Sequence, residues 1–477
     1  MFLYIIFRLR FHYREMSNWP NNVGICYIEV YIPKYFVSQE KLEIFDGVST
    51  GKYTIGLGQK NMGFFGDLED INSLCLTVVH NLLENHKIDP KAIGRLEVGT
   101  ETIIDKSKSV KTVLMQLFES YGNTDIEGVD TKNACYGGTS ALFNAINWIE
   151  SSYWDGRLAI VVTADIAVYA AGNARCTGGG GAIALVVGPN APLVFDRGLR
   201  ATHMAHVYDF YKPNLSSEYP VINGKLSVSS YISALDACYS QYRNKFMKKF
   251  SSEFFSLADI DFMVFHTPYC KLVQKSVGRC MLQDFLNGND RTNGKYPLFE
   301  KYSHLSLKES LEDFDLLKDI ERVSVAYSLD IFHKKTQLST KLASLVGNMY
   351  TSSLYGSLVS LLMNVGENDL IGKRVLLFSY GSGLASSMFS LTICPSENLR
   401  SSLVTMLDSL QSINVLLDQR LEIEPEKFVK ILELREKSSN VPNFSPTCSY
   451  IDLVPGTYYL TKINSEFKRY YERKEKE

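Results

Sequence analysis

The sequence predicts an α/β sandwich, in which sheets and helices form alternating layers, and two observations support this fold class. Short apolar segments typical of strands alternate with longer segments whose apolar residues recur at helical spacing. The motif "NACYGGTSALFNAI" in the first half is also similar to "GNMYTSSLYGSLVSLL" in the second, since each places a polar turn before an apolar helix. We therefore expect an internal duplication of roughly half the chain.

The first part of the chain alternates between strands and helices. Pro33 ends the first predicted strand, because proline has no backbone N–H to donate to a sheet. Asp70 is a suitable N-cap for the helix that follows it, and Gly122 is typical of a helix end. The predicted strands lie in residues 23–33, 95–104, 158–170 and 181–189, and the predicted helices lie in 70–86, in 109–122 and just after residue 135.

The second part repeats this pattern around a more polar region. A strand, a loop and a helix are predicted for 261–277, and a polar turn followed by a helix for 347–365. Two strands joined by a glycine turn are predicted for 373–393. The polar residues 285–345 between these segments are predicted to be an insertion.

A helical extension is expected after residue 395. Residues 396–440 indicate two helices broken near Pro425. The motif "GTYYL" is typical of a final strand, and the charged tail "FKRYYERKEKE" is predicted to be solvated. Four leucines are predicted to share one helix face, namely Leu399, Leu403, Leu407 and Leu410.

Composition excludes several classes of protein. The 477 residues include 50 Lys and Arg against 52 Asp and Glu, so the net charge of −2 does not favour binding to nucleic acid or to a membrane surface. No apolar run approaches the roughly 20 residues of a membrane span. Nine scattered cysteines without CxxC pairs do not favour a zinc site or a disulfide framework, and a reducing compartment is expected.

The first fifteen residues, "MFLYIIFRLRFHYRE", are unusual. Their apolar stretch precedes the arginines, which is the reverse of the order in a signal peptide. The stretch contains arginines but lacks the serines of a mitochondrial leader. The prediction is an upstream extension with Met16 as a possible start.

Cys135 is the first candidate for chemistry. It lies at the start of a predicted helix whose first residues include Gly137 and Gly138. Free N–H groups and the partial positive charge of a helix N-terminus stabilise a thiolate, so we expect a lowered pKa and a nucleophilic sulfur. A buried structural cysteine is the alternative.

A nucleophilic cysteine needs partners for proton transfer. His266 is the best histidine, because it follows an apolar strand and precedes a loop, where catalytic groups of α/β folds collect; His203 is a weaker candidate. Glu101 also lies just past a strand, and burial would make it a general base. Lys271 and Lys275 are spaced to share a helix face and could bind a diphosphate, although a solvated basic face is the more common meaning.

Other readings of these residues are open at this point. Cys135, His266 and Asn348 occur in the chain order of a papain-like protease, but the sequence around the cysteine differs from that family. A binding scaffold without catalysis would leave these residues unlinked. The glycine-rich segments 46–59 and 176–181 lack the spacing or the placement of phosphate-binding loops.

A set of motifs then makes the chain similar to the 3-hydroxy-3-methylglutaryl-CoA (HMG-CoA) synthase family in its eukaryotic form. The resemblance runs from about Trp19 to "GTYYL". It implies the thiolase-like fold, with two duplicated halves in a five-layer αβαβα sandwich, and a homodimer. The motifs are "GRLEVGTETIIDKSKSVKT", "NACYGGTSALFNA", "GNARCTGGGGA", "HVYDFYKP", "FHTPYCKLVQKS", "GNMYTSSLYGSL" and "FSYGSG".

The resemblance also implies a reaction. Acetyl-CoA and acetoacetyl-CoA are condensed, without cofactor or metal, to HMG-CoA for the mevalonate pathway. Cys135 matches the acetylated nucleophile, Glu101 the general base, and His266 the acid that serves the developing alkoxide. Substrate contacts are implied for Asn173, Thr177, Ser227, Asn348 and Ser382, a CoA path for Lys52, Lys271 and Lys275, and supporting roles for Tyr136, Asp165 and Asp209.

The same resemblance suggests how the chain divides into domains and where in the cell the protein is found. The expected parts are a leader or extension at 1–16, halves at 17–190 and 191–395, and an extension with a final strand at 396–477. The cytosol is favoured over the mitochondrion. A thiolase or a ketoacyl synthase of the same fold is the alternative. Cys176 departs from the proline usual in the family, and Ser49 and Thr50 also depart from its pattern.

Overall fold

The computed structural model describes residues 20–288 and 297–476. The predicted leader at 1–16 therefore lies outside the described residues. None of the described helices combines the length and the apolarity that crossing a bilayer requires. Within the same residues, no group of three or more His, Cys, Asp or Glu side chains is arranged to hold a metal ion.

The elements follow the alternation expected from the sequence. The first half contributes β1 (Gly24–Tyr31), β2 (Tyr35–Ser38), α1 (Gln39–Phe45), β3 (Asn61–Phe64), α2 (Ile71–Asn85), β4 (Ile93–Gly99), α3 (Val110–Leu114), α4 (Gln116–Glu119), β5 (Asp130–Thr131), α5 (Gly137–Ile149), β6 (Leu158–Ala167) and β7 (Gly179–Gly188). The second half contributes β8 (Leu193–Met204), β9 (Phe210–Tyr211), β10 (Val221–Ile222), α6 (Gly224–Phe250), β11 (Phe262–Phe265), α7 (Cys270–Leu286), α8 (Phe314–Lys335), α9 (Lys341–Val346), α10 (Ser353–Asn364), α11 (Glu367–Leu370), β12 (Arg374–Gly381) and β13 (Ala385–Ile393). The extension contains α12 (Glu397–Leu410), α13 (Ser412–Asp418), β14 (Leu421–Glu422), α14 (Pro425–Ser438), β15 (Tyr458–Ile463) and β16 (Arg469–Arg473).

The two halves repeat one sheet topology. In the first half, β4 runs parallel to β6, β6 is antiparallel to β7, and β7 is antiparallel to β1. In the second half, β11, β12, β13 and β8 pair in the same order and with the same directions. A short pairing of β1 with β8, at Gly24–Val194 and Ile25–Leu193, joins the two sheets. The predicted internal duplication is confirmed.

Three hydrophobic cores define the layers. The central core combines helix residues, such as Leu142 of α5 and Leu358 of α10, with residues of strands from both halves. A second core packs α2 on the outer face of the first sheet, and a third packs α6 and α7 on the outer face of the second sheet. This arrangement is the five-layer αβαβα sandwich that the resemblance implied, with the starts of α5 and α10 in its middle layer.

Two predicted helices are interrupted. The helix expected over 109–122 breaks at Met115, where the N–H of Phe118 donates to the carbonyl of Met115, a tighter bond than in an α-helix. The first helix of the extension breaks in the same way at Gln411. Leu403, Leu407 and Leu410 are buried on one face as predicted, whereas Leu399 is only half-buried.

The prediction of a solvated tail is wrong. Residues 469–473 form β16, which pairs with β15. Arg469 donates to Asp70 over 2.9 Å, and Arg473 forms an ion pair with Glu84 over 2.7 Å. The basic residues of the tail therefore meet acidic residues at both ends of α2, and this charge complementarity holds the strand against the domain.

Candidate active site

A cleft of about 690 Å³ opens between the two halves. It brings together residues that are more than 240 positions apart in the chain. His203 is not among its lining residues. The sequence-predicted residues that line it are Cys135, Asn173, Thr177, Ser227, His266, Asn348 and Ser382.

Cys135 occupies the loop between β5 and α5 in an unusual backbone conformation. Its φ of +53° lies in the left-handed region, which non-glycine residues rarely adopt. The loop is pressed against the hairpin of β12 and β13, since a Cβ on Gly381 would lie 1.7 Å from the carbonyl oxygen of Ala134. Surrounding packing of this kind keeps a strained residue in place, and such residues concentrate at functional sites.

Glu101 and Cys135 are in direct contact. Glu101 is buried in the loop after β4, and its Oε2 accepts the backbone N–H of Cys135 over 2.6 Å. Burial raises the pKa of Glu101, and the charge of Lys212 acts against this rise. A carboxylate beside a thiol can act as a base toward a group attached to the sulfur.

The expectation of a low cysteine pKa is wrong for this structure. Burial raises the pKa of Cys135 well above its ordinary value, and the carboxylates of Glu101 and Asp165 raise it further. The helix begins only at Gly137, with Tyr136 as its N-cap residue, so Cys135 lies before the first turn. The influence of the helix N-terminus falls off over a short distance and is outweighed by burial and by the two carboxylates.

Asp165 ties the Glu101 loop to the second half. It is fully buried at the end of β6, and its Oδ1 accepts the backbone N–H groups of Glu101 and Thr102 over 2.8 and 3.0 Å. Its Oδ2 accepts from the backbone and the hydroxyl of Thr351 over 3.0 and 2.6 Å. Asp165 therefore orders the carboxylate beside Cys135, in line with the supporting role that the resemblance implies.

His266 reaches the cleft from the end of β11. Its backbone is fixed on both sides, because its N–H donates to Phe378 and its carbonyl accepts from Tyr231. The side chain is buried, and its Nδ1 has no hydrogen-bond partner among the described residues. Burial lowers the pKa of His266 to about 3, so the imidazole is neutral near pH 7. A neutral imidazole stabilises an oxyanion as a hydrogen-bond donor rather than as an imidazolium acid.

We expect His266 to contribute to acid destabilisation. An unfolded histidine has a pKa of about 6.5. Between pH 6.5 and 3 the unfolded chain binds a proton that the folded chain does not, so stability falls as the pH falls through this window, by up to about 1.4 kcal/mol per unit. Urea unfolding of His266→Phe between pH 7 and 4 should show a shallower decline than the parent. Parallel curves would contradict the burial of a neutral imidazole.

The remaining predicted contacts surround the cleft in different ways. Lys52 Nζ donates to Asn173 Oδ1 over 3.2 Å, which brings the lysine to the cleft lining. Asn348 is buried, and its Oδ1 accepts the N–H of Tyr350. Asp209 accepts from Tyr380 and from the N–H of Gly383, and so supports the turn that carries Ser382. Cys176 is buried, and its thiol donates to the carbonyl of Asn173.

Lys271 and Lys275, which the helix spacing predicts on one face, have different surroundings in the structure. Lys271 and Lys275 both lie on α7, but Lys275 Nζ is 2.8 Å from Glu321 Oε2 of α8. Its ammonium is thus engaged by the predicted insertion, which packs on α7. Neither lysine belongs to the lining of the cleft. Tyr136 is buried beneath the site, where its hydroxyl contacts Ser387 over 2.7 Å.

Lys275→Met is therefore expected to lower the stability slightly and to leave substrate binding nearly unchanged. A half-buried ion pair of this kind is worth about 0.2–1 kcal/mol. The KM for acetyl-CoA, the substrate that the resemblance implies, should stay within about twofold of the parent, since losing one direct charge contact to a phosphate would cost more. Steady-state kinetics of Lys275→Met and of the matched variant Lys248→Met on exposed surface would test this. A fivefold or larger rise in KM for Lys275→Met alone would contradict it.

The sequence reasoning did not single out Lys212. Its Nζ lies 3.3 Å from Glu101 Oε1 and 4.9 Å from the ring centre of Tyr350. The only signal in the sequence is a lone lysine in the aromatic segment "YDFYKP", which by itself indicates nothing specific.

Models of one family account for almost the whole chain. Residues 19–192 match the N-terminal model of hydroxymethylglutaryl-coenzyme A synthase, and residues 193–474 match its C-terminal model. The chain belongs to the hydroxymethylglutaryl-CoA synthase family. The two models meet at the start of β8, where the second repeat of the sheet topology begins.

Relatives and solved structures agree with this membership. The chain is 53% identical to the cytoplasmic hydroxymethylglutaryl-CoA synthase of Mus musculus, over 96% of this chain and 88% of the relative. It is 52% identical to the mitochondrial hydroxymethylglutaryl-CoA synthase of Rattus norvegicus, over 96% of this chain and 91% of the relative. The structure "MvaS in complex with 3-hydroxy-3-methylglutaryl coenzyme A" is similar with a TM-score of 0.79 and 30% identity, over 95% of this chain and 99% of that one.

Proposed function

We propose that this hydroxymethylglutaryl-CoA synthase condenses acetyl-CoA with acetoacetyl-CoA and water to HMG-CoA and CoA, through an acetyl thioester on Cys135. The observation that carries the proposal is the 2.6 Å contact between Glu101 Oε2 and the N–H of Cys135. It places a buried carboxylate beside a cysteine that lines a cleft shared with His266. Nucleophile, base and hydrogen-bond donor are thus close to one another.

The first step is acetyl transfer. The sulfur of Cys135 attacks the carbonyl carbon of acetyl-CoA, and the bond between that carbon and the CoA sulfur breaks. The thiol proton ends on the departing sulfur, which leaves as CoA. The strained loop positions the cysteine, and the raised pKa means that little thiolate exists before substrate arrives.

The second step forms the carbon–carbon bond. Glu101 takes a proton from the acetyl methyl, which the thioester carbonyl makes acidic, and the electron pair of that C–H bond attacks the ketone of acetoacetyl-CoA. The ketone oxygen becomes an alkoxide, which receives a hydrogen bond from the neutral His266. The alkoxide then takes up the equivalent of the proton that Glu101 removed from the methyl, so that Glu101 returns to its carboxylate form. Water hydrolyses the thioester to Cys135 and releases HMG-CoA. Metal and cofactor have no role in this scheme, which is a prediction that metal analysis of active enzyme would check.

The decisive experiment is a mass measurement of the protein mixed briefly with acetyl-CoA. We expect an acetyl adduct on the peptide that contains Cys135, discharged by acetoacetyl-CoA with formation of HMG-CoA. Cys135→Ala should show neither adduct nor product. An adduct that yields only acetoacetyl-CoA chemistry would favour a thiolase, and a missing adduct would contradict the proposal.

The thiolase alternative has less support from the site. A biosynthetic thiolase uses a second cysteine in the glycine turn after the strand that corresponds to β12. Here Tyr380 near the end of β12 and Ser382 in the turn line the same cleft as Cys135, and the segment "FSYGSG" contains no cysteine. A ketoacyl synthase lacks the glutamate, whereas Glu101 contacts Cys135 directly.

We further propose a homodimer of the cytosol that serves the mevalonate pathway. The related proteins include cytoplasmic and mitochondrial forms at nearly equal identity, 53% and 52%, so the localisation of the full chain is the test of this part of the proposal. Fluorescent fusions of the full chain, and of the chain from Met16, should both stay in the cytosol. Light scattering coupled to gel filtration should give twice the 53.9 kDa of one chain.

A further inference from the structure

The two oxygens of Glu101 face different partners. Oε2 accepts the N–H of Cys135, while Oε1 lies 3.3 Å from Lys212 Nζ and makes no well-formed hydrogen bond to any described residue. Lys212 therefore acts on Oε1 chiefly through its charge. Glu101 and Lys212 also line a second, smaller cavity, which is distinct from the cleft that holds Cys135.

We propose that Lys212 is a positioning residue that holds Glu101 in place and keeps its carboxylate ionised for proton abstraction. The inference rests on the function proposed above and adds a residue to it. A buried carboxylate without a neighbouring cation would take up a proton and lose its power as a base. The side chains of the pair are only 19% and 6% exposed, so solvent screens their attraction far less than at the surface.

The backbone position of Lys212 and the contacts of its side chain suit this role. It follows β9 directly, and β9 is held by its pairing with β10 at Tyr211–Val221. The carbonyl of Asp209, just before β9, accepts the N–H of Asn223 over 2.8 Å. The ammonium lies 4.9 Å from the ring centre of Tyr350, a distance at which a cation is attracted to an aromatic face. The pairing of β9 and the ring of Tyr350 together restrict the positions open to the ammonium group of Lys212.

The other groups near Glu101 disfavour its charged form, and Lys212 opposes them. Asp165 accepts the N–H of Glu101 and, as an anion, raises the pKa of Glu101 further. Among the described residues, its other titratable neighbours apart from Lys212 are the Cys135 thiol and the buried hydroxyls of Tyr169 and Tyr350. Lys212 is the cation whose charge lowers the pKa of Glu101. The other charged groups of the second cavity have partners of their own. Two carboxylates form ion pairs, Asp70 with Arg469 and Glu218 with Arg435. Two accept hydrogen bonds from uncharged groups, Asp67 from Thr447 and Glu69 from Tyr31.

The test is the pH profile of condensation in single turnovers of pre-acetylated enzyme. In Lys212→Met we expect the rising limb of the profile to move up by at least one pH unit. The rate at pH 6 should then fall at least tenfold, and the deficit should shrink toward pH 9. Lys212→Arg keeps the charge and should retain the parent profile within about threefold. Lys248→Met, on exposed helix surface, is the matched control and should be unchanged.

A second readout does not depend on the substrate. The charge of Lys212 also lowers the pKa of Cys135, so alkylation of Cys135 by iodoacetamide should shift to higher pH in Lys212→Met and not in Lys212→Arg. A rate loss in Lys212→Met that is equal at all pH values, or a profile unchanged from the parent, would overturn the inference. Parent enzyme that forms no HMG-CoA would instead overturn the proposed function, so the two failures are distinguishable.

Discussion

Glu101→Gln is expected to lower the rate of condensation by about 10²- to 10⁴-fold while acetylation of Cys135 stays within about tenfold of the parent. Glutamine keeps an oxygen that can accept the N–H of Cys135, so the strained loop should persist. It cannot take a proton from the acetyl methyl. Acetyl transfer should be spared because the negative charge of Glu101 raises the pKa of Cys135, and its removal makes the thiol more acidic.

The two steps can be measured separately. Rapid quench with labelled acetyl-CoA reports acetylation, and addition of acetoacetyl-CoA to acetylated enzyme reports condensation. Glu101→Ala should lose condensation as well, and Glu119→Gln on the exposed surface is the matched control. Normal condensation by Glu101→Gln would mean that the base lies elsewhere, and the assignment of roles would be wrong.

Asp165→Ala should be the most destabilising single change near the site. The substitution leaves the buried N–H groups of Glu101 and Thr351 without an acceptor, whereas the N–H of Thr102 keeps the hydroxyl of Thr100. Each unsatisfied buried polar group costs about 1–3 kcal/mol, so we expect a loss of about 2 kcal/mol or more in the free energy of unfolding. Because Asp165 also holds the Glu101 loop, condensation should fall in whatever protein remains folded.

Urea unfolding of the purified variants would measure this effect. Asp418→Ala, at an exposed position in the extension, is the control and should stay within about 0.5 kcal/mol of the parent. Asp165→Asn retains one acceptor oxygen and should lie between the two. A loss below 1 kcal/mol for Asp165→Ala would show that water or neighbouring groups replace the carboxylate.

Local patterns in the sequence were sufficient for much of the fold. The helix capped by Asp70, the strand at Gly24–Tyr31 and the duplicated turn-and-helix motifs all depend on neighbours within a few residues. Capping and side-chain periodicity act over that distance, so they can be read without tertiary information. The alternation of strands and helices predicted an α/β sandwich, and the resemblance to the family implied its five layers.

Several features that local patterns did not indicate depend on long-range contacts. The tail forms a strand because Arg469 meets Asp70, nearly 400 positions earlier in the chain. Lys275, for which the resemblance implies a place on the CoA path, forms an ion pair with Glu321 on another helix, which the helix spacing alone did not indicate. The pKa of Cys135 was expected to be low from the nearby helix start, whereas burial and two carboxylates raise it.

The sequence by itself determined the fold class, the family and the identities of Cys135, Glu101 and His266 as candidates, since each lies at the end of an element that local patterns reveal. Only the tertiary structure decided the contacts, the burial and the protonation of these three residues. It paired Glu101 with Cys135 and Lys212, buried His266 as a neutral imidazole and linked both halves through Asp165. The physical reason is that burial and charge depend on which distant segments meet in space, and ionisation follows from these two quantities.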